Sequence, residues 1–169
     1  MPDSERGTHS DFGGNLGLST AIRWRVVALL RPPVSLGVRL IVRDPSGHVL
    51  LVRHTYTPGW HLPGGGVDVG ESAQESAVRE CREETGYAVT ADLRLVGVHF
   101  NRGYSNRDHV LTFAADVADD LRRVALTPQA LEIAEVRVAS VADLPEGTTA
   151  PTRRRLAEAF HDAPSGIHW

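Results

Sequence analysis

Apolar and β-branched residues are concentrated in short stretches of the chain, separated by turn residues, and this pattern is typical of β-strands. Two of these stretches, residues 34–43 and 49–54, flank the tetrapeptide Asp44-Pro45-Ser46-Gly47, which favours a tight turn. We therefore predict a β-hairpin at this position. The same pattern predicts three further strands, over residues 92–101, 109–117 and 131–141.

Apolar residues at helical spacing occur in other parts of the chain. Ser72 followed by Glu75 has the pattern of a capping box, so a helix is predicted to begin at about Ala73. This helix is predicted to end before Gly86, because glycine readily adopts the positive φ required past a helix terminus. The remaining helical predictions are an amphipathic helix at about 19–31, a single turn at 141–144 and a helix at 151–161.

The order of these elements predicts an α/β fold. A chain of 169 residues is long enough for one domain with a hydrophobic core, which we expect to span residues 19–162. Residues 1–18 are polar and contain glycine, and we predict that they form a flexible N-terminal tail. Residues 163–169 are predicted to be a C-terminal tail.

Three glutamates of the predicted helix are the first candidates for chemistry. Glu80, Glu83 and Glu84 stand at positions i, i+3 and i+4, which places them on one face of the helix. Like charges at this spacing repel each other, and a divalent cation would offset the repulsion. Hard carboxylate oxygens suit Mg²⁺ or Mn²⁺. The alternative is a solvated helix whose acidic residues only keep it soluble.

A run of glycines precedes the helix. Gly64, Gly65 and Gly66 carry no side chain, so backbone amides in this segment can approach phosphate oxygens closely. The glycines also suit a turn that needs a positive φ, and both interpretations can hold together.

The segment from Gly65 to Tyr87 joins the glycines and the glutamates in one long pattern. The spacing is Gly65, five residues, Glu71, seven residues, Arg79-Glu80, apolar Cys81, one residue, Glu83-Glu84, one residue, Gly86 and apolar Tyr87. All fixed positions of this pattern match the signature box of the Nudix hydrolases, and the chain resembles that family. The flanking residues Trp60-His61-Leu62-Pro63 resemble it as well.

The resemblance implies an α-β-α sandwich around a mixed β-sheet. It also implies a metal-dependent hydrolase that cleaves a nucleoside diphosphate linked to another group X by attack of water on phosphorus. The implied substrate is of the ADP-ribose, nucleotide-sugar, dinucleoside polyphosphate or nucleoside triphosphate type. The implied cofactor is Mg²⁺, with Mn²⁺ as a second option.

The same resemblance assigns roles to the residues of the box. Its metal ligands are Glu80, Glu83, Glu84 and Gly64, while Arg79 orients a carboxylate and Glu71 supports it. The proton of the attacking water would pass to Glu84 or to an acid outside the box. Glu132 and Glu135 are the outside candidates, and each is also explained as a charge at the end of a strand.

Substrate-binding residues are expected in two places. Gly65 and Gly66 lie in the glycine run, and the loop of residues 101–108 is placed to close over a ligand. Arg102 and Arg107 of this loop could grip a phosphate. Tyr104 occupies a position that resembles the dinucleoside polyphosphate branch of the family, and the proline of the ADP-ribose branch is absent.

Composition narrows the choice of partners. A net charge of −3 and a pI of about 6.2 argue against binding of long nucleic acid and disfavour RNA 5′-pyrophosphate removal, while a single nucleotide remains allowed. Cys81 is the single cysteine, which excludes an intramolecular disulfide. No apolar run approaches the roughly 18 residues of a membrane span, and no signal-peptide pattern is present, so we expect a cytoplasmic monomer or homodimer. The alternative from another functional class is a nucleotide-binding sensor that has kept the fold and lost catalysis.

Overall fold

The computed structural model describes residues 33–128, 130–160 and 163–169. The predicted N-terminal tail and the predicted helix at about 19–31 lie outside the described residues.

The described residues form a mixed arrangement of strands and helices. In chain order the elements are β1 (Ser35–Arg43), β2 (His48–His54), α1 (Ala73–Thr85), β3 (Arg94–Phe100), β4 (Asp108–Asp116), β5 (Ile133–Ser140) and α2 (Ala150–Phe160), with a short 3₁₀ helix at Leu121–Arg123. The predicted hairpin, the other predicted strands and the helix beginning at Ala73 are confirmed, with ends that differ by at most two residues. In this part of the chain no helix is long and apolar enough to cross a membrane.

The helical turn predicted at residues 141–144 is wrong. This segment forms a hydrogen-bonded turn in which the Asp143 amide donates to the Ser140 carbonyl at 3.1 Å. The Val141 amide donates to the carbonyl of Gly47 at 3.2 Å. The segment is therefore a turn held against the hairpin by a distant backbone hydrogen bond, and it is not a turn of helix.

The five strands form one mixed sheet with the order β3-β4-β1-β2-β5. β1 and β4 run parallel, and the other neighbouring pairs are antiparallel. Side chains of alternate residues on β1 point to opposite faces. Val38, Leu40 and Val42 pack with Ala77 and Cys81 of α1, whereas Ile41 packs with Leu156 of α2. A helix thus covers each face of the sheet, and the predicted α-β-α sandwich is confirmed.

The separation of β1 from β2 is the feature that positions the glycine run. The two strands pair at Arg43 and Val49, beside the hairpin turn. Farther along, residues 61–67 bond to both strands: the Val38 amide donates to Gly65 and the Leu40 amide donates to Pro63, each at 2.9 Å, and Val52 and His61 exchange two hydrogen bonds of 2.9 Å. The inserted segment therefore satisfies backbone groups that the separated strands would leave unpaired.

The C-terminal segment 163–169 runs beside the edge strand β3. The Phe100 amide donates to the Ile167 carbonyl at 2.8 Å, and the Trp169 amide donates to the Phe100 carbonyl at 3.1 Å. The indole of Trp169 lies against the His99 ring and under the guanidinium of Arg155. These contacts cover part of an edge that would otherwise expose unpaired backbone groups.

The inserted segment gives a direct test of the fold. Gly64 has a φ of 141°, and a Cβ atom there would lie 2.2 Å from the Val38 carbonyl oxygen. We expect Gly64→Ala to lower the free energy of unfolding by about 3 kcal/mol or more, because strain and collision add. Gly47→Ala is the matched control, since Gly47 also has a positive φ but has open space around it, and we expect a loss of about 1 kcal/mol. Equal losses in denaturant titrations would contradict this packing.

Candidate active site

The sequence at the N-terminus of α1 fixes where the helix begins. The Glu75 amide donates to the Ser72 hydroxyl at 3.2 Å, and the Ser72 amide donates to the Glu75 carboxylate at 2.8 Å. Gly86 ends the helix in the left-handed conformation with a φ of 77°. The predicted capping box and glycine cap are confirmed, and they fix the positions of the three glutamates along the helix.

Glu84 is the buried member of this group. Its side chain is 3% exposed, and its Oε2 accepts a 2.7 Å hydrogen bond from the Gly64 amide of the inserted segment. The Nε2 atom of His54 lies 3.8 Å from Oε1. Burial raises the pKa of Glu84 to about 7, while the hydrogen bond from Gly64 opposes this shift.

Glu80 lies one turn before Glu84 and is partly buried beside Gly65. A Cβ atom on Gly65 would lie 2.5 Å from the Oε1 atom of Glu80, so the Glu80 carboxylate fits here because residue 65 has no side chain. Burial raises the pKa of Glu80, and the charge of Glu83 acts in the same direction. The glycine segment and α1 therefore hold two desolvated carboxylates near each other.

Arg79 links the remaining acids of the box. Its Nε and Nη2 atoms donate to both oxygens of Glu71, at 3.1 and 2.7 Å, which is a bidentate pair. Its Nη1 atom donates to Glu80 at 2.9 Å and to Glu83 at 3.2 Å. Hydrogen bonding to Arg79 lowers the pKa of Glu71 to about 2. Arg79 thus connects the loop before α1 to two glutamates of its acidic face.

The three glycines differ in what their backbone does. The amide of Gly64 donates to Glu84, and the carbonyl of Gly65 accepts from Val38. The carbonyl of Gly66 accepts from the Ser76 hydroxyl at 2.9 Å and from Arg79 at 3.3 Å. The positive φ occurs at Gly64, so the turn interpretation applies to that residue.

The glutamates have the right chemistry for a hard divalent cation, although their side chains are engaged in other bonds. In the described ranges no three His, Cys, Asp or Glu side chains are already arranged to hold a metal ion. Arg79 engages Glu80 and Glu83, and Gly64 engages Glu84. A cation beside Glu80 and Glu84 would favour their charged forms and offset their desolvation. The oxygen atoms of this donor set are chemically suited to a hard divalent cation.

The predicted loop residues Arg102, Tyr104 and Arg107 are in the segment between β3 and β4. Tyr104 is 80% exposed, and the guanidinium of Arg102 lies over the ring of Phe100. Within the described residues, no hydrogen bond or ion pair joins the three side chains to the glutamates of α1. These three side chains are therefore not bonded to the acidic face of α1 in this structure.

The two outside acids occupy different surroundings. Glu135 is paired with Arg53 and Arg137, whose guanidinium groups lie over the ring of Trp60. The charge of Glu132 instead contributes to the raised pKa of Glu84. Of the two, Glu132 is the acid whose field reaches the carboxylate cluster.

Arg39 of β1 is a residue of this region that the sequence reasoning missed. Its pKa is lowered by burial, and the charges of Glu84 and Glu80 act in the opposite direction. The signal in the sequence was an arginine flanked by the apolar residues Val38 and Leu40 in the middle of a predicted strand. His54 was missed as well, and burial lowers its pKa to about 4.

Comparison with known proteins agrees with this geometry. The family model described as NUDIX domain matches residues 33–160. A protein of Bacillus subtilis (strain 168) whose name includes 8-oxo-dGTP diphosphatase is 43% identical over 74 residues, which are 44% of this chain and 49% of that protein. An RNA pyrophosphohydrolase of Shewanella piezotolerans (strain WP3 / JCM 13877) is 45% identical over 49 residues, 29% of this chain and 28% of that protein. The chain thus spans about half or less of these relatives.

Solved structures show the same fold. The NUDIX domain of Shewanella oneidensis NrtR, complexed with ADP ribose, aligns with a TM-score of 0.67 at 18% identity and covers 82% of this chain and 97% of that domain. The family match extends over more than half of the residues of this protein, from the start of the described region to the end of α2. The chain therefore belongs to the NUDIX family.

Proposed function

We propose that this protein is a metal-dependent hydrolase that cleaves the diphosphate linkage of a nucleoside diphosphate joined to a group X. The observation that carries the proposal is the placement of Glu80 and Glu84 against the glycine segment. Arg79 bonds to Glu80 and the Gly64 amide bonds to Glu84, yet burial still raises the pKa of Glu84 to about 7, so a cation that binds both carboxylates would offset the remaining cost. The names of the relatives support hydrolysis of nucleotide diphosphate bonds.

Each residue of the cluster has a proposed role. Glu80, Glu83 and Glu84, with the carbonyl of Gly64, would hold Mg²⁺ or Mn²⁺. When bound, such an ion neutralises charge on phosphate oxygens and lowers the pKa of water. Arg79 positions Glu80 and Glu83, and its bidentate pair with Glu71 fixes the guanidinium. Glu84 or Glu132 takes the proton of the attacking water, and Glu135, committed to Arg53 and Arg137, is the weaker candidate.

The proposed partner is a small nucleotide in the cytosol. Gly65, Gly66, Arg102, Tyr104 and Arg107 remain proposed substrate contacts, with the loop residues acting on the distal part of the ligand. Since none of these loop side chains bonds to the glutamates of α1 in the described residues, we expect the two regions to contact different parts of the ligand.

A nucleotide sensor without catalysis is the second candidate function. The aligned NrtR domain is described in complex with ADP ribose, which favours binding of this class of ligand by the fold. The complete set of Glu71, Arg79, Glu80, Glu83 and Glu84 favours hydrolysis, because binding alone does not require every member.

A substrate panel tests the proposed function. The full-length protein is incubated with ADP-ribose, dinucleoside polyphosphates, nucleotide sugars and nucleoside triphosphates, with Mg²⁺ and with excess chelator, and the phosphate products are measured. We expect hydrolysis of at least one class with Mg²⁺ and none with chelator. Hydrolysis that persists fully in chelator would contradict the metal-dependent assignment, and nucleotide binding without hydrolysis would favour the sensor.

The variant Glu83→Gln tests the acidic face of α1. It removes one charge without changing side-chain volume, so we expect kcat to fall by about 100-fold or more. The free energy of unfolding should change by less than about 0.5 kcal/mol, because the Glu83 side chain is about half exposed. Glu75→Gln is the matched control on the same helix, since glutamine preserves a capping box. A kcat for Glu83→Gln equal to that of the control would remove Glu83 from the metal ligands.

A further inference from the structure

Arg39 occupies a distinctive position between the sheet and the carboxylate cluster. It lies on β1 where the strand has separated from β2. The amides of its neighbours Val38 and Leu40 bond to Gly65 and Pro63 of the glycine segment. A Cβ atom on Gly64 would lie 3.0 Å from the Cα atom of Arg39, so the two backbones are in close contact. The amide of the same glycine holds Glu84. The strand therefore fixes the start of the Arg39 side chain beside the buried glutamate.

The guanidinium of Arg39 is poorly satisfied by the protein. Within the described residues the guanidinium donates one long hydrogen bond, of 3.4 Å, to the Val38 carbonyl. The guanidinium forms no ion pair with any described carboxylate. An arginine has five N–H donors, so most donors of this partly buried side chain have no protein acceptor among the described residues. In contrast, Arg79 uses its donors on Glu71, Glu80 and Glu83.

A second unsatisfied group lies next to Arg39. Its register partner on β4 is Thr112, which is fully buried. The Thr112 hydroxyl has no hydrogen-bond partner in the described structure. On β1 the next residue on the same face toward the strand start is Gly37, and a Cβ atom there would lie 3.4 Å from the Gly65 carbonyl oxygen. The face beside Arg39 thus combines a cation and an unpaired hydroxyl next to the glycine segment.

The surrounding charges argue that the missing partner is an anion carried by a ligand. The charges of Glu84, Glu80 and Asp108 all favour the protonated form of Arg39, yet none of these carboxylates pairs with it. Carboxylates so placed repel a bare phosphate, and a guanidinium among them provides a local site where an anionic oxygen is attracted. Planar donors of this kind match phosphate oxygens in a bidentate manner.

We propose that Arg39 binds the diphosphate of the substrate from β1, so that the diphosphate lies between Arg39 and the carboxylates of α1. This inference rests on the proposed function, since it names the group that recognises the diphosphate in the same site. Arg39, rather than Arg102 or Arg107 of the exposed loop, then supplies the positive charge that acts on Glu84. Its role is binding and orientation of the phosphate groups.

Binding of methylenediphosphonate, a non-hydrolysable diphosphate, tests this inference. The full-length protein and the variant Arg39→Met are titrated calorimetrically with this probe at one saturating Mg²⁺ concentration. We expect roughly ten- to hundredfold weaker binding by Arg39→Met, because charge-assisted hydrogen bonds are lost. Arg43→Met is the matched control, since Arg43 lies on the same strand but is paired with Asp116, and its affinity should stay within about twofold of wild type.

Titration with Mg²⁺ alone separates phosphate binding from simple charge compensation. If Arg39 binds the diphosphate, the Mg²⁺ affinity of Arg39→Met is not reduced, because a positive neighbour of the carboxylates has been removed. Affinity of Arg39→Met for methylenediphosphonate within about twofold of wild type would overturn the inference. Arg39→Lys provides a second variant if Arg39→Met does not fold; it keeps the charge without the planar fork, and an undiminished affinity would likewise overturn bidentate recognition.

The outcomes distinguish this inference from the proposed function. One outcome is that Arg39→Met binds the probe more weakly than wild type while the wild-type protein hydrolyses no member of the substrate panel. This outcome supports the Arg39 site and overturns the proposed hydrolysis. Hydrolysis by wild type, with unchanged probe affinity and KM in Arg39→Met, overturns the Arg39 site alone. An increase in KM with a smaller change in kcat supports binding by Arg39.

Discussion

The hydrogen bond from the Gly64 amide to Glu84 is the interaction on which the candidate site depends. It exists because β1 and β2 separate beyond the hairpin turn and residues 61–67 bond to both strands. Gly64 has a positive φ and lies so close to Val38 that any side chain at this position would be strained and would collide with the Val38 carbonyl. The sheet, the inserted segment and α1 are thus joined at one buried carboxylate, and a change in any of them would move it.

Two arginines contribute positive charge near that carboxylate, and they differ in their hydrogen-bond partners. Arg79 connects Glu71 to Glu80 and Glu83, and this network fixes the exposed side of the acidic face. Arg39 acts from the strand side without pairing with a carboxylate in the described residues. Because Arg79 is saturated with protein acceptors and Arg39 is not, the two cations are suited to different tasks. We infer that Arg79 positions the proposed metal ligands and that Arg39 is available to an anion of the ligand.

Local sequence patterns predicted the elements that depend on local interactions. Ser72, Glu75 and Gly86 specify the ends of α1 through bonds to nearby backbone, and 3.6-residue spacing then fixes where Glu80, Glu83 and Glu84 point. The contribution of Arg39 depends on a contact between β1 and a segment more than twenty residues away, which no local pattern encodes. The predicted turn at 141–144 failed for the same reason, since the Val141 amide bonds to Gly47. Likewise, Glu132 and Glu135 are close in sequence, but different neighbours surround them.

The central claim is that water attacks phosphorus in a diphosphate linkage and that the bond between phosphorus and the bridging oxygen breaks. The most direct test is hydrolysis of an accepted nucleoside diphosphate derivative in water enriched in oxygen-18, with mass analysis of both products. The account predicts one labelled oxygen in one of the two phosphate products and no label in the group X outside its phosphate. Label bonded to carbon of X, or unlabelled phosphate in both products, would contradict it.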